Sequence, residues 1–185
     1  MNDIDNQEAA LIFKTCLANN NVEQFQVFLD YMPQYAALAL ELCVKDNNIE
    51  WTTIALSYCN TTHQDSIDKS LTYAANVDNL AMVELLLDRV SPNFECNSAL
   101  FFSTLNDNSA IIDIVWERSN VDTVIDALRH LGGAAKNAIE TLQTLREHKQ
   151  AAAQKQHLED ALLIAPEAIA NKRQQHEKPT LVKKM

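Results

Sequence analysis

Residues 71–88 read LTYAANVDNLAMVELLLD, and three other stretches align with them without a gap. They are FKTCLANNNVEQFQVFLD at 13–30, LELCVKDNNIEWTTIALS at 40–57 and LFFSTLNDNSAIIDIVWE at 100–117. The shared landmark is Asn21, Asn48, Asn79 and Asn108, at intervals of 27, 31 and 29 residues. Eight positions earlier stands Phe13, Leu40, Leu71 or Leu100, and five earlier a small residue, Cys16, Cys43, Ala74 or Ser103. Immediately before the landmark is Asn20, Asn47, Asp78 or Asp107. Six to eight positions after it come Val27-Phe28-Leu29, Ile54-Ala55-Leu56, Leu85-Leu86-Leu87 and Ile114-Val115-Trp116.

This pattern predicts a helix, a tight turn and a second helix in every unit. An apolar residue followed three positions later by a small one lies on a single helical face, which lets a neighbouring helix approach closely. Asn and Asp tolerate the left-handed conformation that ends a helix, and their side chains can cap the next one. Three consecutive apolar residues exceed what one face of a lone surface helix can bury. The second helix is therefore expected to be covered on two sides by stacking of neighbouring units.

Each unit resembles an ankyrin repeat, and the third is closest. In SLTYAANVDNLAMVELLLDRVSPNFECNSALF, residues 70–101, Ser70-Leu71-Thr72 stands where the family has P-L-H. Ala74-Ala75 matches its paired alanines, Asp78-Asn79 replaces its Gly-His, and Leu80 to Leu87 follow its L-x-x-V-x-L-L-L. Pro92-Asn93 falls where the family often has P-N. The resemblance covers roughly residues 10–118; the family's glycines are missing and the units are shorter than usual, so regular β-hairpin fingers are not expected. It implies an all-α fold: a short helical solenoid of about four ankyrin-like helix-turn-helix repeats plus a C-terminal capping helix pair.

Composition agrees with the helical reading. The chain has 185 residues, 47% of them apolar, but only two glycines and four prolines, too few turn formers for a strand-rich fold. The start, MNDIDNQEAAL, is acidic and lacks the apolar core of a secretory signal. No run approaches the ~18 apolar residues of a membrane span. Cys16, Cys43, Cys59 and Cys96 have no paired spacing and read as reduced, buried thiols, which points to a cytoplasmic setting. Residues 1–130 carry six Lys/Arg against nineteen Asp/Glu, a net of −13, whereas 131–185 carry nine against six, a net of +3. An acidic body argues against nucleic acid, whose phosphates demand a basic face.

Beyond Trp116, Asn120 can cap a helix with Val121, Val124, Ile125, Leu128 and Leu131 on one face, stopped by Gly132-Gly133. A long helix follows from about Ala134, and Pro166 is expected to end or restart it. The resulting organisation is a repeat solenoid at 1–131, a capping and extended helix at 132–165, and a basic, flexible tail at 166–185.

No nucleotide-binding glycine loop, G-x-S-x-G or H-E-x-x-H occurs, and the five histidines are scattered, so no catalytic, cofactor or metal site is expected. The resemblance implies a protein-protein interaction module: a scaffold, adaptor, inhibitor or bacterial effector acting in the bacterial or host cytosol. In the family the first helices and fingers line a concave binding face. Carried onto this chain, the first helices offer Lys14, Glu41, Thr72 and Phe101, and the turns Lys45, Asp46, Asn76, Asp78, Asn106 and Asp107. The finger offers Asn93, Phe94 and Glu95. The acidic turns lead to an expected partner with a basic surface. A small enzyme or enzyme subunit, and an oligomer built through the C-terminal helix, are the alternatives.

Overall fold

The computed structural model describes residues 4–91 and 94–176, with side chains as far as Asp160. The helices are α1 (Asn6–Ala18), α2 (Val22–Tyr31), α3 (Ala36–Lys45), α4 (Ile49–Tyr58), α5 (Gln64–Asn76), α6 (Leu80–Leu87), α7 (Asn97–Leu105), α8 (Ser109–Val115), α9 (Val121–Arg129) and α10 (Lys136–His176). No strand occurs among the described residues, and the fold is all-α.

The repeated Asn/Asp pair builds one turn four times. Asn20, Asn47, Asp78 and Asp107 all take positive φ, between 50° and 62°. Asn and Asp bear this conformation better than other residues with a Cβ, which accounts for their place there. The next asparagine donates its backbone N–H back to the small residue five positions earlier. These bonds are Asn21 to Cys16 O (2.9 Å), Asn48 to Cys43 O (3.0 Å), Asn79 to Ala74 O (3.0 Å) and Asn108 to Ser103 O (2.9 Å). The left-handed residue donates to the carbonyl three back, completing a Schellman closure of each first helix. The same asparagine then opens the second helix: its Oδ1 accepts from the backbone N–H of Gln24 (3.0 Å), Trp51 (3.2 Å), Met82 (3.1 Å) or Ile111 (2.9 Å). Asn120 caps α9 in the same way, through the Thr123 N–H at 3.1 Å.

Side chains also tie successive turns together. Asn79 Nδ2 donates to Asn47 Oδ1, and Asn108 Nδ2 to Asp78 Oδ1. Asn106 Nδ2 donates to Asn76 O at 2.9 Å. The residues that close each helix thus also set the register between units.

The contacts follow chain order. First helices pack as α1 on α3, α3 on α5, α5 on α7 and α7 on α9; second helices pack as α2 on α4, α4 on α6 and α6 on α8. The faces marked in the sequence meet in these contacts: Phe13, Leu40, Leu71 and Leu100 are fully buried, and so are the small Cys43, Ala74 and Ser103 beside them. In the apolar triplets Leu29, Leu56, Leu86 and Val115 are buried. The first unit is the exception, since Val27 stays 46% exposed. Phe25 joins the first two units, its ring centroid 5.3 Å from Phe13 and 4.8 Å from Trp51. Short 3-10 turns, Pro33–Tyr35 and Thr61–His63, link the first three units.

The chain divides into two units, Met1–Ile139 and Glu140–Met185. In the first, α9 buries Val124, Ile125 and Leu128 as expected, but Leu131 is 48% exposed because it follows the helix end. Gly132 takes φ +66°, the stop that only glycine adopts without strain. In the second, the described backbone is the rest of α10, and residues 151–160 are all exposed. The expected break at Pro166 does not occur, and the first part of the 166–185 tail is helical as far as His176. Pro166 lies between helix formers, LEDALLIA before it and EAIA after, whose propensity opposes the loss of one N–H. Residues 177–185 of the expected tail lie outside the described residues. Among the described residues no helix is long and apolar enough to cross a membrane.

All four cysteines are free thiols. Burial pushes Cys43 up to about 12, with Asp46 adding to it, and Cys59 up to about 11 against the opposing Arg89.

Candidate functional site

Each first helix leaves a polar edge beside its buried stripe, and the candidate residues fall on that edge and on the turns. Lys14 is exposed on α1. Glu41 and Lys45 sit one helical turn apart on α3 with their charges 3.9 Å apart, an exposed pair that contributes little to stability. Thr72 is half-buried and donates its hydroxyl to Asp68 O at 3.1 Å, so that group is spent on its own helix. Asp46, Asn76, Asp78, Asn106 and Asp107 are exposed, and hydrogen bonds from Asn79 to Asn47, Asn106 to Asn76 and Asn108 to Asp78 link the three successive turns that carry them into a row. Three acids of the body lie along that row.

Two grooves open between neighbouring first helices. One, of 340 Å³, lies between α7 and α9, walled by Phe101, Phe102, Val124 and Ala127. Phe101 and Phe102 are both half-buried, their rings edge to face with centroids 5.3 Å apart. Neither ring is fully in the core; both help to wall the groove. The other groove, of 230 Å³, lies between α3 and α5 and is lined by Glu41, Val44, Lys45, Lys69, Ser70 and Tyr73.

The finger residues do not join these grooves. Phe94 and Glu95 line a separate, open cleft with Arg118 and Asn120. Glu95 accepts from Asn97 Nδ2 at 2.7 Å. Arg118 is held there by donating to Leu87 O (3.1 Å) and Ser91 O. Asn93 lies outside the described residues.

Lys69 and Tyr73 are not among the residues read from the sequence, and Ser70 stands there only as the counterpart of the family's proline, although the repeat register contains a further signal for it. Ser70 stands nine positions before its landmark, where the other units have Ile12, Ala39 and Ala99. A hydroxyl at an otherwise apolar position of a repeat marks a departure from pure packing. Among the described residues no group of three or more His, Cys, Asp or Glu is placed to hold a metal ion. Comparison with protein-family models, with curated proteins and with solved structures returned no match.

Proposed function

We propose that this chain is an ankyrin-like repeat module that binds another protein through its first helices and the row of turns beside them. The observation that carries the reading is the pair of grooves between first helices, each lined by residues that the ankyrin resemblance implies for the binding face: Glu41 and Lys45 in one, Phe101 in the other. Half-buried aromatics at the mouth of a preformed groove are the kind of anchor that dominates protein interfaces. The acidic row at Asp46, Asp78 and Asp107 favours a partner with a basic surface and speeds its approach. Unpaired thiols agree with a reducing, cytosolic setting, in the cell that makes the chain or in a host.

The fold itself dictates how the acidic row is tested. Lysine at 78 or 107 would strain the left-handed turn, whereas asparagine already occupies the equivalent positions Asn20 and Asn47. Asp46→Asn, Asp78→Asn and Asp107→Asn together should leave the fold intact. Association with the partner should slow on the order of threefold at low salt, with dissociation nearly unchanged. Near 1 M salt, where the Debye length is about 3 Å, the difference should vanish. An association rate indifferent to both the substitutions and salt would leave the acids with no part in recognition.

A further inference from the structure

The groove between α7 and α9 differs from its neighbour in having uncharged walls. None of the seven residues that line it is ionisable, and its apolar surface comes from Phe101, Phe102, Val124 and Ala127. Both phenylalanines are half-buried and Ala127 is exposed, so apolar surface there stays open to water. The rim is acidic. Glu95 is tied to the lining residue Asn97 through its Nδ2 at 2.7 Å, and the exposed Asp122 and Asp126 adjoin the lining residues Thr123 and Ala127. Residues 95–127 hold six Asp/Glu against one arginine, a net of −5. That arginine, Arg118, donates to Leu87 O and Ser91 O, and Arg129 farther along is bound to Asp126.

The chain also contains a segment of the opposite character. Residues 178–184 read KPTLVKK: Leu181 and Val182 stand between lysines, with no acid and a net charge of +3. We propose that this segment of one copy docks in the α7–α9 groove of a second copy. Leu181 and Val182 lie against Phe101, Phe102 and Ala127, and the lysines lie over Glu95, Asp122 and Asp126. Apolar burial holds the segment, and the acidic rim orients it. Size fits a peptide anchor: 340 Å³ is at the low end of the ~300–1,000 Å³ of small-ligand pockets, room for one or two aliphatic side chains. The groove between α3 and α5 would oppose the same segment, because Lys45 and Lys69 line it. α10 is one helix of 41 residues, about 60 Å long, and Leu181 lies five residues, at most about 18 Å, past its far end, where it is presented to a neighbouring molecule. Two different surfaces meet, so copies associate head to tail. The contact shares Phe101 with the partner reading but rests on the chain's own segment and stands without that reading.

Sedimentation velocity of the full chain over about 5–500 µM should show mass rising with concentration. Leu181→Asp together with Val182→Asp should hold the chain monomeric. A peptide of residues 177–184, acetylated and amidated, is then added to that variant. It should shift the backbone amides of Ser98, Phe101, Phe102, Thr123 and Ala127 in a saturable way. Leu181→Ala in the peptide should weaken it about tenfold, the loss expected from one buried aliphatic side chain. Ala127→Arg, at an exposed helical position, should abolish peptide binding and leave the thermal midpoint unchanged. A chain monomeric at every concentration, association that persists in the Leu181/Val182 variant, or peptide shifts away from these residues would each overturn the assignment. So would a Leu181→Ser, Val182→Ser peptide that binds as well, since charge alone would then account for the contact. Partner binding that depends on Phe101, in a chain that stays monomeric, would remove the self-contact and leave the partner reading intact.

Discussion

Leu86→Ala is expected to destabilise the chain by about 2–5 kcal/mol, the cost of emptying a well-packed aliphatic site. Leu86 is fully buried on α6, which packs against α5, α4 and α8 at once, so no single neighbour can close the space. At ~2–4 °C per kcal/mol for a chain of this size, the thermal midpoint should fall by roughly 5–20 °C. The adjacent leucines provide the control. Leu85 and Leu87 are only half-buried, and alanine at either should cost distinctly less. Equal losses at 85, 86 and 87, or an unchanged midpoint in Leu86→Ala, would show that the helix is not seated in this register.

The turn pair should be the next most sensitive place. Asn79→Ala removes the cap on the Met82 N–H and the lateral bond to Asn47, and should cost about 1–2 kcal/mol. Asp78→Val puts a β-branched residue at φ 62° and deletes the acceptor for Asn108 Nδ2. It should cost a similar ~1–2 kcal/mol from the left-handed conformation alone. Asp78→Asn, in contrast, should be nearly neutral. Urea unfolding of the three variants separates these outcomes; a Val variant as stable as the Asn variant would mean the left-handed turn carries no constraint.

Much of this architecture was legible because the same constraint recurs four times. A left-handed residue followed by a helix cap admits few side chains, so Asn20-Asn21, Asn47-Asn48, Asp78-Asn79 and Asp107-Asn108 stand out even where the flanking residues differ. The small residues Cys16, Cys43, Ala74 and Ser103 could be placed for a similar reason, since close helix approach limits volume. The course of α10 was less legible. The helix-forming residues around Pro166 carry the helix through the position where proline alone predicts a break. At the candidate site, the ankyrin resemblance led to the first-helix positions Glu41 and Phe101 and to Lys45, expected in a turn and found as the last residue of α3. The grooves could not be read in this way, because their walls come from two different units and depend on the offset between them. Ser70 was visible in principle as the one hydroxyl among Ile12, Ala39 and Ala99, but its missing partner is a property of three-dimensional packing.

The lysines offer the most direct test of the binding face, because Lys14, Lys45 and Lys69 lie on first helices while Lys155 lies on α10 with its side chain 78% exposed. The measurement is lysine acetylation, read by mass spectrometry, of the full chain alone and in complex with the partner recovered from the cell that makes it. Binding through the first helices predicts strong protection of Lys45 and Lys69, with Lys155 labelled as fully as in the free chain. Unchanged labelling of Lys45 and Lys69, with or without protection of Lys155, would contradict it.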